Sequence, residues 1–140
     1  MIMNTNVATV KRIYEAFGRG DIPVIVGYLS DNVQWESWAN NYAQNAGVPW
    51  LLERNGKEGA IEFFKIIGTF IFRDFQVLSV MGDEKQVAAE CILEADIPDT
   101  GVHFSEEEMH LWTFDEQGKV IRFRHYCDTA KHIAAAKRIG

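Results

Sequence analysis

A chain of 140 residues has room for one domain and should bury roughly two-thirds of its unfolded surface without disulfide or metal staples. Apolar residues make up 47% of it and charged residues 24%, with 4 Trp, 4 Tyr and 9 Phe, a balance that excludes disorder. The net charge of −6 repels phosphate, so neither nucleic acid nor membrane is an expected partner, and no apolar run approaches the roughly 20 residues that span a bilayer.

From Asn6 to Phe17, Val7, Val10, Ile13, Tyr14 and Phe17 recur at helical spacing, with Lys11, Arg12 and Glu15 on the other face. Gly18 and Gly20 end that helix, and Asp21 caps a short second one, with Pro23 in its first turn, reaching about Leu29. Ser30-Asp31-Asn32 reads as a turn and Val33 to Trp38 as the first strand. Residues 39–55 form a long connection whose Tyr42, Trp50, Leu51 and Leu52 imply that it packs over something. Gly56 to Gly68 is a third helix, burying Ala60, Ile61, Phe63, Phe64 and Ile67.

Antiparallel strands follow at 70–81, 85–97, 102–114 and 119–127, with turns at Gly82-Asp83-Glu84, Pro98-Asp99-Thr100-Gly101 and Asp115-Glu116-Gln117-Gly118. Asp128 opens a last helix running through Ala134-Ala135-Ala136. Strands grouped after helices predict a single α+β domain, residues 1–140, with no repeat and no linker. Strands of about a dozen residues would reach roughly 40 Å, so the sheet must curl. Helices on its concave side make a cone with a pocket, and apolar residues left on the convex face predict a homodimer there. Met1 to Asn6 lacks the basic start and apolar stretch of a signal peptide, and Cys91 and Cys127 lie in no zinc or redox motif. Both read as reduced thiols in a cytoplasmic protein, and no metal or cofactor is expected.

The element order and three local signatures resemble the nuclear transport factor 2-like superfamily, and within it the SnoaL-like and ketosteroid-isomerase-like proteins. The signatures are Tyr14-Glu15-Ala16-Phe17-Gly18-Arg19-Gly20-Asp21 followed by Leu29-Ser30-Asp31-Asn32-Val33-Gln34-Trp35, then Gly56-Lys57-Glu58-Gly59-Ala60-Ile61-Glu62-Phe63-Phe64, then Leu111 to Val120 closing with Arg124-His125-Tyr126-Cys127-Asp128. The resemblance implies a cone-shaped, cystatin-like α+β barrel: a curved antiparallel sheet with helices on its concave side, around a pocket. It covers nearly the whole chain, yet the superfamily hosts isomerases, cyclases, hydrolases and non-catalytic binding domains, so function must come from the site.

Carried over position by position, the steroid-isomerase base falls on Ser37 with Glu36 beside it, the oxyanion tyrosine on Ile13 with Tyr14 turned about 100° away, and the oxyanion aspartate on His110. Serine cannot take the proton unaided and isoleucine cannot donate, so that arrangement is not expected. The epoxide-hydrolase run is resembled by Phe123 to Asp128, with His125 at the carboxylate position and no arginine partner among residues 85–97. The catalytic aspartate of SnoaL-type cyclases also falls near His110.

Histidines therefore stand where relatives keep acids. By alternation His110, Trp112 and Phe114 share one strand face, and Ile121, Phe123, His125 and Cys127 share a face of the next. His110 and His125 are the candidate acid and base, joined by Glu36 if a bulge turns it inward. Tyr14, Trp35, Ser37, Trp50, Trp112, Phe123, Cys127 and Asp128 are the candidate pocket residues, Asp128 having a helix cap as its simpler role. His103, near a turn, reads as solvated. Glu106, Glu107 and Glu108, with Glu90 and Glu94, read as a solvated face and not as metal ligands. The expected function is acid–base chemistry of isomerase, cyclase or hydrolase type on a small apolar molecule, the alternative being a ligand-binding or scaffold domain without chemistry.

Overall fold

The computed structural model describes residues 5–138; Met1 to Asn4, read above for a signal segment, lie outside the described residues. Helix α1 (Thr5–Gly18) buries Val10, Ile13 and Ala16 and leaves Lys11, Arg12 and Glu15 in water. It stops at Gly20, whose φ of +70° glycine adopts freely. Helix α2 (Ile22–Gly27) follows; Asp21 stands at its N-cap position, but its side chain makes no capping bond.

Strand β1 spans Leu29–Trp35, so it starts and ends earlier than the expected Val33 to Trp38. The residues read as a turn lie inside it, within a bulge: between the pairings Leu29↔Val120 and Gln34↔Arg122, residues 30–33 stand opposite Ile121 alone. Asp31 and Asn32 are exposed there, which is why their composition reads as a turn. The 39–55 connection is more ordered than a loop, holding α3 (Tyr42–Asn45), a 3-10 turn at Pro49–Leu51 and β2 (Arg54–Asn55). Helix α4 (Gly56–Ile67) then buries Ala60, Phe63, Phe64 and Ile67.

The strands β3 (Ile71–Gly82), β4 (Gln86–Ile97), β5 (Val102–Phe114) and β6 (Val120–Tyr126) form a meander, and α5 (Thr129–Ala135) closes the chain. The sheet order is β2-β1-β6-β5-β4-β3, antiparallel throughout except for the parallel β1–β6 pair. Register shifts at Arg73 and Leu78 bend β3, and the curved sheet wraps around the helices. Another shift turns Ile121 out to solvent, so it does not share the inner face of Phe123 and His125.

Alternation on β5 sends Phe104, Glu106, Glu108, His110, Trp112 and Phe114 inward. Glu106 and Glu108 are only 6% and 5% exposed, so the acidic run is not a solvated face: Glu107 alone of the three points out. The core closes over Trp35, which stacks on Phe123 with centroids 4.3 Å apart.

The β3–β4 turn depends on the absence of a side chain at Gly82, where a Cβ would lie 2.3 Å from the Gln86 carbonyl oxygen and 2.7 Å from Val87 Cα. Gly82→Ala should cost about 1–3 kcal/mol in urea unfolding. Gly27→Ala, with open space around its Cβ, should be neutral or stabilise by up to about 1 kcal/mol.

Candidate active site

The concave side encloses a hollow of about 70 Å³, walled by aromatic rings from α1, α4, β3 and the sheet. Its titratable groups are Tyr14, Glu108, His110, His125 and His132. Such enclosure strengthens every charge interaction inside it.

Tyr14 leaves α1 toward β5, and its hydroxyl lies 2.5 Å from His110 Nδ1. The Trp112 indole, which can only donate, gives its N–H to the same hydroxyl at 3.1 Å. On the far side of the ring, His110 Nε2 lies 2.7 Å from Glu108 Oε1. Burial alone would lower the His110 pKa, but bonds to Cys91 and Glu108 outweigh it and hold the imidazole at about 10. Burial would raise Glu108, yet bonds from His110, His132 and Glu106 hold it well below its ordinary value. An imidazolium–carboxylate pair results. With a proton on each nitrogen, His110 donates to Glu108 and to Tyr14, whose oxygen then accepts twice and whose own O–H is polarised. Burial raises the Tyr14 pKa well above its usual value, so Tyr14 holds its proton.

A second arm starts at Glu36, just past the end of β1. Its φ of +59° lies in the left-handed region, at a cost of roughly 1–2 kcal/mol for a residue with a Cβ. That twist buries the carboxylate to 1% exposure, where Oε1 accepts from the His125 backbone N–H at 2.6 Å and lies 3.0 Å from His125 Nδ1. Trp38 Nε1 donates to Oε2 at 3.2 Å. A carboxylate on Nδ1 fixes the proton there and leaves Nε2, which has no hydrogen bond among the described residues, with its lone pair. The His110 and His125 rings meet edge to face, centroids 4.6 Å apart.

The third group is Glu106 with His132 of α5. His132 Nε2 bonds Glu106 Oε1 and lies 3.3 Å from Glu108 Oε2. The carboxylates draw a proton toward this ring, but Trp50 Nε1 donates to its Nδ1 at 2.8 Å. A nitrogen that accepts from an indole carries no proton, so His132 is held neutral, with its one proton on Nε2.

The SnoaL-like domain profile matches residues 10–123. The chain belongs to this family. Among curated proteins none matches the sequence. Among solved structures, an NTF2-like protein of unknown function from Burkholderia pseudomallei is similar at 20% identity and a TM-score of 0.77, over 96% of this chain and 98% of that one. TerC co-crystallised with polyporic acid aligns at 19% identity and 0.70, over 94% and 97%. A Mycobacterium tuberculosis protein in complex with estradiol-17beta-hemisuccinate aligns at 13% and 0.68, over 90% and 95%. At these identities the structures establish a shared NTF2-like fold.

In this SnoaL-like protein Tyr14, Trp35, Trp50, His110, Trp112, Phe123 and His125 all line the hollow. Tyr14 faces His110 after all, because α1 presents both Ile13 and Tyr14 to the pocket. Glu36 stands behind His125 and does not line the hollow. Nor do three other expected pocket residues. Ser37 offers its backbone carbonyl to Arg124 Nε, and Asp128 caps α5 by accepting from the Lys131 N–H at 3.3 Å. Cys127 lies beyond the end of β6, its pKa raised by burial. His103, half exposed, pairs with Asp96 and Glu94.

Glu108 and His132 are the residues the sequence reading missed. The alternation that found His110 and Trp112 reaches Glu108 and Glu106 two and four residues earlier; nothing comparable pointed to His132. Two trios, Glu108–His110–His125 and Glu106–Glu108–His132, hold donor atoms within 4.8 Å of one another, a spacing a metal could draw together. Hydrogen bonds commit two of those atoms to protons, His132 Nε2 by way of Trp50 and His110 Nε2 by way of Glu108, while His125 Nε2 keeps its lone pair.

Because His110 binds its proton more tightly when folded, its stabilisation is complete below about pH 6.5, the unfolded value, and is lost as pH rises to about 10. Urea midpoints measured from pH 6 to 10 should fall for the wild type, and more shallowly for His110→Gln.

Proposed function

We propose that the protein is an acid–base enzyme of isomerase, cyclase or hydrolase type, acting on a small, largely apolar molecule held in the hollow. One observation carries this reading: an aromatic-walled cavity meets a polarised donor, Tyr14, and an oriented lone pair, His125 Nε2, on neighbouring histidine arms. His125 takes a proton from the substrate, Glu36 fixing its tautomer. Tyr14, backed by His110 and Trp112, donates to the oxygen on which negative charge develops. All the groups this needs are side chains. Trp35 supports a polar ligand too, since its indole N–H is buried without a partner among the described residues. Small-molecule ligands in fold neighbours agree with the use of the cavity.

The same reading takes residues 1–140 as one SnoaL-like domain working in the cytoplasm, consistent with free Cys91 and Cys127. It also makes the protein a homodimer through the convex sheet face. Register places Met81, Ala88 and Leu111 in one row there, with Met109 beside Tyr126 in the next. Replacing Met109 and Leu111 together by Glu should convert a dimer to monomer in sedimentation velocity.

The enzyme reading is tested without knowing the natural substrate. The compound 5-nitrobenzisoxazole is small and aromatic, and opens to a coloured phenolate when a base removes its ring proton. His125→Ala should slow this opening about a hundredfold, and Tyr14→Phe should slow it too. Equal rates in wild type and both variants, with the compound still bound, would leave the non-catalytic binding domain as the function.

A further inference from the structure

An apolar cavity of about 150 Å³ takes up one benzene ring, so a hollow of about 70 Å³ admits no ring until a wall gives way. Its walls are not equally firm. Trp35, Phe63, Trp112 and Phe123 sit in the core at 0%, 4%, 2% and 3% exposure. Phe17, Phe72 and Phe75 are partly exposed, and beside the hollow they also line a groove of about 1020 Å³ between α1 and β3. The wall between the two spaces is therefore one side chain thick. Phe75 lies in the middle of it, its ring centroid 5.4 Å from Phe17, 5.9 Å from Phe72 and 6.2 Å from Tyr14. These neighbours are all rings, and no hydrogen bond fixes a phenyl group among them. Its strand is the edge of the sheet, paired on one side only, and register shifts at Arg73 and Leu78 break the ladder on either side of it.

Beyond Phe75 the groove follows β3 past Val77, Leu78 and Val80, roughly 15 Å at 3.3 Å per residue. These side chains are aliphatic. Lys11 and Arg73 are balanced by Glu15 and Asp74, and Arg73 is already bonded to Asp96, so the groove selects no charge. The two register shifts also spoil β3 as a template for a peptide strand, which favours a small molecule as the occupant. We propose that this groove is the outer half of the ligand site and Phe75 the partition between the halves. The ligand has an oxygen-bearing ring, which displaces Phe75 to enter the hollow, and an uncharged aliphatic chain, which stays in the groove. That the oxygen meets Tyr14 and His125 rests on the acid–base reading; the groove and its partition do not.

The probes are 4-alkylphenols from ethyl to octyl, uncharged at pH 7, whose chains lead directly away from the oxygen. In calorimetric titrations the affinity should rise about threefold per added CH₂, a little under the full-burial value because one side of the chain stays in water. Val77 lines the groove but not the hollow, so Val77→Trp should flatten the series while 4-ethylphenol binds as to wild type. Phe75→Ala removes the partition and should speed the association of 4-octylphenol about tenfold. A flat series in wild type, a series still rising in Val77→Trp, or an unchanged association rate in Phe75→Ala overturns the proposal. Should a variant fail to fold, NMR on wild type decides: nuclear Overhauser contacts from the octyl chain to Val77 or Leu78 support the groove, and their absence overturns it. A flat series alongside benzisoxazole opening that still depends on His125 refutes the groove and leaves the enzyme reading standing. A rising series alongside opening that His125→Ala does not slow keeps the groove and removes the chemistry.

Discussion

The site depends on keeping the Glu108 carboxylate charged inside an aromatic core. Stripping water from such a group costs several kcal/mol, and an ion pair seldom repays it by attraction alone. Here the carboxylate collects N–H donors from His110 and His132 and the interaction with Glu106, and one donor is itself a cation. The arrangement is therefore better understood as charge placement than as stabilisation. Removing His110 would leave a buried anion short of a partner, and the anion is what holds the His110 proton that polarises Tyr14.

Strand periodicity decided how much of this could be read in advance. The bounds of β5, 102–114, follow from its alternation and its flanking turns, and the same alternation aims His110 and Trp112 inward. Glu106 and Glu108 obey that rule, but their run of like charges suggests a solvated face, and composition misleads where period two does not. The bulge at 30–33 and the twist at Glu36 are legible only as turn-like composition, because a bulge depends on the partner strand. His132 was out of reach for another reason: its partners are Trp50, 82 positions away, and Glu106, 26 away. Asp128 looked like a pocket acid only by resemblance; its place before α5 already argued for the cap it forms.

The two histidine arms are built alike, and the proposed reaction uses them oppositely. Each ring has a carboxylate on one nitrogen and presents the other toward the hollow. On His110 the carboxylate sits on Nε2, and Nδ1 meets a phenol that also accepts from Trp112, so the ring supplies a proton. On His125 the carboxylate sits on Nδ1 and Nε2 is unengaged among the described residues, so in the proposed reaction the ring accepts one. With the rings 4.6 Å apart, substitutions on one arm will not add simply to those on the other.

The fold contributes the hollow and the direction of each strand face, while the residues on that face decide what the hollow does. Along the inner face of β5 the side chains run from Glu106 through Glu108 and His110 to Trp112 in the aromatic wall. Burial raises the Glu106 pKa to about 7, while Glu108, a step along, is ionised only because imidazoles hold it so. The Tyr14 phenol, reaching in from α1, would in the proposed reaction keep its proton until a substrate oxygen became basic enough to take it. Reversing any two of these residues would keep the composition and the fold but strand a charge where nothing compensates it, so position along the strand is what makes the series work.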